Sequence, residues 1–167
     1  MSGDPLFSSV SVEWETPPDL FRQINRMFGP FDLDPCATAE NAKAPLYYTK
    51  AEDGLGPGWA LANKAITNVF MNPPYGRDIK HWLAKAAKES MKGVQVVALL
   101  PARTDTDWWH RYVWPYCSDI YLIRGRVKFL NPAKGLNSAP FPSALCIYNP
   151  RKRAGLPRCG PFVMVFP

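Results

Sequence analysis

Residues 70–76 read Phe-Met-Asn-Pro-Pro-Tyr-Gly. An apolar run ends there in an amide, two consecutive prolines and an aromatic ring. Pro73 and Pro74 remove two backbone donors and fix two φ angles. Each proline also biases the residue before it toward extended geometry. One proline would be enough to stop a strand. A rigid Asn72-Pro73-Pro74-Tyr75 tip suits holding a ligand. The same residues also read as a strand followed by a rigid turn, because Asn-Pro is common in turns.

The elements around the tip follow from apolar spacing. In "TPPDLFRQINRMF", Leu20, Phe21, Ile24, Met27 and Phe28 recur at helical period, with Thr16 as cap, Pro17 and Pro18 in the first turn, and Gly29-Pro30 as the stop. "FDLD" reads as a short strand ending at Pro35, "CATAENAKA" as a short helical or irregular piece, and "PLYYT" as another strand. "KAEDGLGPGWALA" is a glycine-rich loop that lacks the spacing of a phosphate loop. "AITNVFM" is the strand that carries the tip. "RDIKHWLAKAAKESMK" is a helix with Ile79, Trp82, Leu83, Ala86 and Ala87 on its apolar face, closed by Gly93. "VQVVALL" has the continuous apolar character of a strand buried on both faces.

Further on, "TDTDWWHRYVWPY" reads as a helix capped by Thr104 or Asp105. "DIYLIRGRVKFL" is a strand that bends at Gly125 or enters a hairpin, and "SALCIYN" and "FVMVF" are the last strands. Strand and helix alternate through the middle of the chain, which predicts an α/β fold with a mostly parallel sheet flanked by helices. The strand-rich end adds an antiparallel pair. Ligands of such sheets sit outside the carboxyl ends of the strands, so Asp34, Asn72 and Pro101 are expected near one another.

The chain has 167 residues, 47% apolar and 20% charged, which suits one folded domain with a core. We expect a loose lead-in over 1–12 and a single catalytic domain over 13–167, with no separate domain for target recognition. No apolar run approaches the roughly 18–20 residues of a membrane helix. The start, "MSGDPLFSSVSVEWE", lacks a basic and then apolar leader, so the expected location is the cytoplasm. A net charge of +6 is compatible with a polyanionic partner and equally with a plain basic surface. Cys36, Cys117, Cys146 and Cys159 are widely spaced, which excludes a clustered zinc site and suits free thiols. No metal and no membrane partner are expected. Oligomeric state is not set by these features.

The tip resembles the Asp/Asn-Pro-Pro-Tyr/Phe motif of N6-adenine and related amino methyltransferases. The ordered set "EWETPPDLF", "FDLDPCATAENAKA", "VFMNPPYG", "VVALLPARTDTDWWH" and "APFPSAL" is similar to the small phage-type DNA N-6-adenine methyltransferases, a Dam-like family. The resemblance runs from about Trp14 to Tyr148. It implies a Rossmann-like fold that uses S-adenosylmethionine, with DNA as partner and adenine N6 as acceptor. The adenine amine is a poor nucleophile because its lone pair is delocalised into the ring. The Asn72 amide oxygen and the Pro73 carbonyl can accept its two N–H bonds, and Tyr75 can stack on the base. The base must leave the duplex to reach such a pocket.

By the same resemblance, Trp14, Thr16 and Pro17 border the methionine part of the cofactor. Asp34, in Asp34-Pro35-Cys36-Ala37, pairs with its cationic end, and it also reads as a strand-end turn residue. Ala37 and Thr38 stand where a glycine-rich turn is often found, a departure from the wider pattern. Asp53 is the expected contact for the cofactor adenine, with Glu52 or Glu40 as alternatives for the ribose. Arg103, after the central strand, is expected to clamp a substrate phosphate; Arg126 and Phe129 fall where related enzymes hold the flipped base, with Phe129 as the ring that sandwiches it. The basic run over 151–158 reads as a phosphate track or a solvated loop. The same tip can serve cytosine N4, RNA adenine or a protein glutamine, or belong to an inactive binding module. A chain this short predicts short or relaxed sequence specificity.

Overall fold

The computed structural model describes residues 14–56, 58–59, 66–131, 135–152 and 156–162. The expected lead-in over 1–12 lies outside them. Helix α1 spans Pro18–Phe28 and buries Leu20 and Ile24. Proline is favoured at the first helical position because its missing N–H is unpaired there anyway. The expected Thr16 cap does not form. Pro17 is the N-cap, without a side-chain cap bond, and the Thr16 hydroxyl is engaged by Asn72 instead.

Strands β1 (Leu33–Asp34), β2 (Leu46–Tyr47) and β3 (Asn68–Met71) precede helix α2 (Ile79–Met91), which is followed by β4 (Gln95–Pro101). Gly93 beyond α2 has φ +100°, where a side chain would be strained. The helix expected over 104–116 is reduced mainly to one π-helical turn, Trp109–Val113. The amide of Trp114 donates to the Trp109 carbonyl at 3.1 Å, closing the wider ring. Pro115 has no N–H to extend it, and neither Thr104 nor Asp105 acts as a cap: Trp108 holds that position. Strands β5 (Asp119–Ile123), β6 (Lys128–Asn131), β7 (Gly135–Ser138), β8 (Ser143–Tyr148) and β9 (Arg158–Phe162) complete the described chain. The last strand lies earlier than the expected "FVMVF", whose residues after Phe162 are outside the described segments.

Seven strands form one sheet in the order β2-β1-β3-β4-β8-β5-β9. Only β8 runs against its neighbours, β4 and β5; the other pairings are parallel. Strands β6 and β7 form a separate antiparallel pair. The stretch expected as one strand or a hairpin entry is thus two strands. They part at Gly125, with φ +81°. The architecture is mixed α/β with a mostly parallel sheet and an antiparallel pair.

Strand β4 shows how the sheet makes two cores. Val96, Ala98 and Leu100 pack with α2 and the π-helical turn. Val97 and Leu99 face the other way, onto α1, Phe70, Phe129 and Phe141. Period-two alternation with both faces covered explains why the strand reads as a continuous apolar run. Parallel pairing of β1, β3 and β4 brings their carboxyl ends to one edge. The other end is tied by polar contacts: the Asp32 carboxylate accepts from the amides of Thr67 (2.8 Å) and Asn68 (3.0 Å). Asn68 in turn donates to the carbonyls of Phe28 (2.7 Å) and Pro30 (2.8 Å). At the β5 end, buried Asp119 accepts from Arg158 at 2.7 Å. That uses one cation of the expected phosphate track.

Leu99 is fully buried in the core beneath the tip. Leu99→Ala is expected to lower unfolding free energy by about 2–5 kcal/mol, read from urea unfolding.

Candidate active site

A cavity of about 880 Å³ opens at the carboxyl ends of β1 and β3. Its walls come from the segment before α1 (Trp14, Glu15, Thr16), from β1 and the loop after it, from the loop after β2, and from the tip. The size is that of a small-molecule site. Of the residues expected at a cofactor, Trp14, Thr16, Asp34, Pro35, Cys36, Ala37 and Asp53 line it, together with Asn72, Pro73 and Pro74. Pro17 caps α1 and does not line it. Pro101 ends β4 beside the edge without reaching the wall, whereas Asp34 and Asn72 meet there as expected.

Asp34 organises the loop that follows it. Its carboxylate accepts from the amides of Cys36 (3.2 Å) and Lys43 (3.1 Å). The Ala37 amide donates to Tyr48 O at 3.1 Å, and the Tyr48 amide to Asp34 O at 3.0 Å. These bonds make a turn without the missing glycines. Burial pushes the Asp34 carboxyl up to about 6, against the lowering effect of the two amides and the Lys43 charge. It is still mostly ionised at neutral pH, so the cavity carries a buried anion suited to a cationic ligand. Burial, with Asp34 beside it, raises the Cys36 thiol, which therefore stays protonated.

The loop after β2 closes on Asp34-Pro35 through a glycine. A Cβ on Gly54 would meet the Pro35 carbonyl oxygen at 2.3 Å, and the Gly54 carbonyl accepts from Trp59 Nε1 at 2.9 Å. Asp53 has φ +48°, and its carboxylate accepts from the Leu55 amide at 3.2 Å. Glu40 also lines the cavity. Glu52 binds Thr49 through both its amide and its hydroxyl and is not on the wall.

At the tip, Asn72 Nδ2 donates to the Trp14 carbonyl and to Thr16 Oγ1 (3.0 Å). Asn72 Oδ1 is buried and has no hydrogen-bond partner among the described residues. An unpaired buried acceptor is costly and rare, so its presence on a residue of the cavity wall suits a ligand donor. The Tyr75 hydroxyl donates to Leu99 O at 3.0 Å. Burial raises its pKa, which keeps it a neutral donor. Its ring meets Phe129 and Phe141 edge-on, at 6.0 and 5.5 Å between centroids.

The expected role of Phe129 needs correction. The side chain is fully buried and packed among Trp14, Tyr75 and Phe141, so it has no face to offer a base. It supports the tip from behind. Arg103 is exposed and lies over the Phe141 ring at 5.7 Å, next to the ring that touches Tyr75. Arg126 is exposed and does not line the cavity. Of the paired tryptophans, Trp109 is core and Trp108 is half-buried.

Several wall residues were not singled out from sequence. Lys43 and Tyr48 belong to loops whose hydrogen bonds appear only in three dimensions. Trp82, expected on the apolar face of α2, is on that face and on the cavity wall too. Among the described residues no group of His, Cys, Asp and Glu could hold a metal, and no helix is long and apolar enough to cross a membrane.

The family model for the Dam DNA N-6-adenine-methyltransferases matches residues 6–156. The chain belongs to that family. A putative methyltransferase, YfdM, of Escherichia coli strain K12 is 39% identical over 67 residues, which is 40% of this chain and 74% of that protein. The DNA N-6-adenine-methyltransferase of Escherichia phage T1 is 33% identical over 96 residues, 57% of this chain but only 38% of that protein. Membership makes this an adenine-N6 DNA methyltransferase and implies S-adenosylmethionine as methyl donor.

Two outcomes test the wall geometry. Gly54→Ala is expected to cost about 1–3 kcal/mol in urea unfolding, because backbone must shift to admit the Cβ. Asp34 has a folded pKa raised from 3.8 to about 6. The folded chain therefore binds more protons than the unfolded chain between those values. The stabilising contribution of Asp34 is fullest below its unfolded pKa and is lost as pH rises through about 6. Unfolding measured at pH 4.5 and 7.5 for wild type and Asp34→Ala is expected to show the wild-type advantage shrinking with rising pH.

Proposed function

We propose that the chain transfers a methyl group from S-adenosylmethionine to N6 of adenine in DNA, with short or relaxed sequence specificity. The observation that carries this reading is the buried Asn72 Oδ1, unpartnered among the described residues, on a residue that lines the same cavity as Asp34. The residues fit the cofactor: the volume suits a small molecule, Asp34 offers a carboxylate to its cationic end, and Asp53 and Glu40 are acids for its polar groups. When bound there, S-adenosylmethionine supplies an electrophilic methyl group.

Everything else is the work of the protein. Asn72 Oδ1 accepts one N–H of the adenine amine, and the Pro73 carbonyl accepts the other. Pro73 and Pro74 keep these two acceptors rigid. The amine is then held with its lone pair toward the donor side. Orientation of this kind is worth up to roughly 7–11 kcal/mol of barrier. Tyr75, fixed through its hydroxyl and half-buried beside the cavity without lining it, is the ring we assign to stack on the flipped base. Arg103 and Arg126 take phosphates, the contacts that position a duplex without reading it. We read residues 13–167 as one catalytic domain of the Rossmann-like methyltransferase type, working in the cytoplasm. The ends of parallel β1 and β3 and the loop after β2 around one cavity support that reading.

The test is methyl transfer from labelled S-adenosylmethionine to unmethylated DNA, followed by nucleoside digestion and mass analysis. N6-methyladenine is the expected product. Asn72→Ala should lower the rate by about 10²–10³ while cofactor binding changes little. Near-full activity in Asn72→Ala would overturn the assignment.

A further inference from the structure

Asn72 can accept from an amine in only one of its two amide orientations. The half-turned amide would present Nδ2 to the amine, donor against donor. Something must therefore hold the amide. Its Nδ2 meets two oxygens from the segment before α1, the Trp14 carbonyl and the Thr16 hydroxyl. A carbonyl can only accept, so the atom facing Trp14 must be the nitrogen.

The segment is itself fixed. The Glu15 amide donates to Leu130 O at 3.2 Å, and the Leu130 amide donates to Glu15 O at 3.0 Å. The Trp14 ring packs edge-on against Phe129 and Phe141, at 5.6 and 5.5 Å. Thr16 is only 2% exposed, so water does not compete freely for its hydroxyl.

We propose that Thr16 is a positioning residue. Its hydroxyl oxygen, with the Trp14 carbonyl, holds the Asn72 amide in the orientation that turns Oδ1 toward the substrate amine. The proposal rests on the reading of Asn72 as the amine acceptor. It gives Thr16, which also lines the cavity, the further task of orienting a reacting-site amide. Loss of the hydroxyl leaves the Trp14 carbonyl as the remaining anchor among the described residues, so the amide is held by one bond instead of two and its plane is less fixed. The consequence is a fall in turnover, not in cofactor affinity.

The experiment compares wild type, Thr16→Val, Thr16→Ala and Thr16→Ser in steady-state methylation of unmethylated DNA. S-adenosylmethionine binding is measured by calorimetry, and folding by thermal unfolding. Thr16→Val and Thr16→Ala should lose about tenfold in kcat, the scale of one hydrogen bond. Cofactor Kd should stay within about threefold of wild type, a change worth well under one such bond. Thr16→Ser, which keeps the oxygen, should recover most of the turnover. If Thr16→Val does not fold, the Thr16→Ala to Thr16→Ser ratio gives the same reading. Unchanged kcat in the Val and Ala variants overturns the proposal. So does a loss confined to cofactor affinity, and so does a Ser variant no better than Ala. Wild-type protein that makes no N6-methyladenine would instead overturn the reaction assigned above. An active wild type with indifferent Thr16 variants would overturn the positioning role alone.

Discussion

The candidate site depends on one side chain held from far away in sequence. The Asn72 amide nitrogen is bonded to Trp14 and Thr16, 58 and 56 residues upstream. That bond pair occupies the amide nitrogen and leaves the buried amide oxygen without a partner among the described residues. The cost of an unpaired buried acceptor is tolerable only if the surroundings cannot collapse onto it. Two prolines on one side and a bridged segment on the other prevent that collapse.

The sheet supplies the second constraint. Three short parallel strands, β1, β2 and β3, end together, so Asp34 at the end of β1 and Asn72 just beyond β3 line one cavity. The strands are too brief to hold this edge alone. Asp32 and Asn68 bind the opposite end through backbone amides and carbonyls of neighbouring elements. Asp34 does the same at the cavity end, where its two amide partners shape the loop that glycines shape elsewhere. A buried carboxylate thus serves the wall and the ligand space at once.

Beneath the tip lies an aromatic platform. Tyr75 stands on Phe129 and Phe141, and Trp14 packs on the same two rings. Edge-on contacts of this kind add to the area that the rings bury. The platform joins the Asn72–Tyr75 tip to the segment that bonds the Asn72 amide, and Leu130 in β6 bonds that segment directly. Strand β6 is therefore part of the support of the site, although none of the described residues of β6 and β7 is on the cavity wall.

Much of this was legible in the chain. Local rules placed α1, α2, β3 and β4, because their apolar periods and proline or glycine ends are properties of consecutive residues. The tip was legible for the same reason: its rigidity is written in two adjacent prolines. Other features needed the fold. The helix expected after β4 widened into a π-helical turn that stops before Pro115. Phe129, a plausible stacking ring by position, proved to be core because β6 turns it inward. Thr16 read as a cap, yet a competing acceptor demand from Asn72 claimed it. Sequence settles what a residue can bond to within a few positions. Only tertiary structure decides which distant partner wins, because that choice depends on which strands lie side by side.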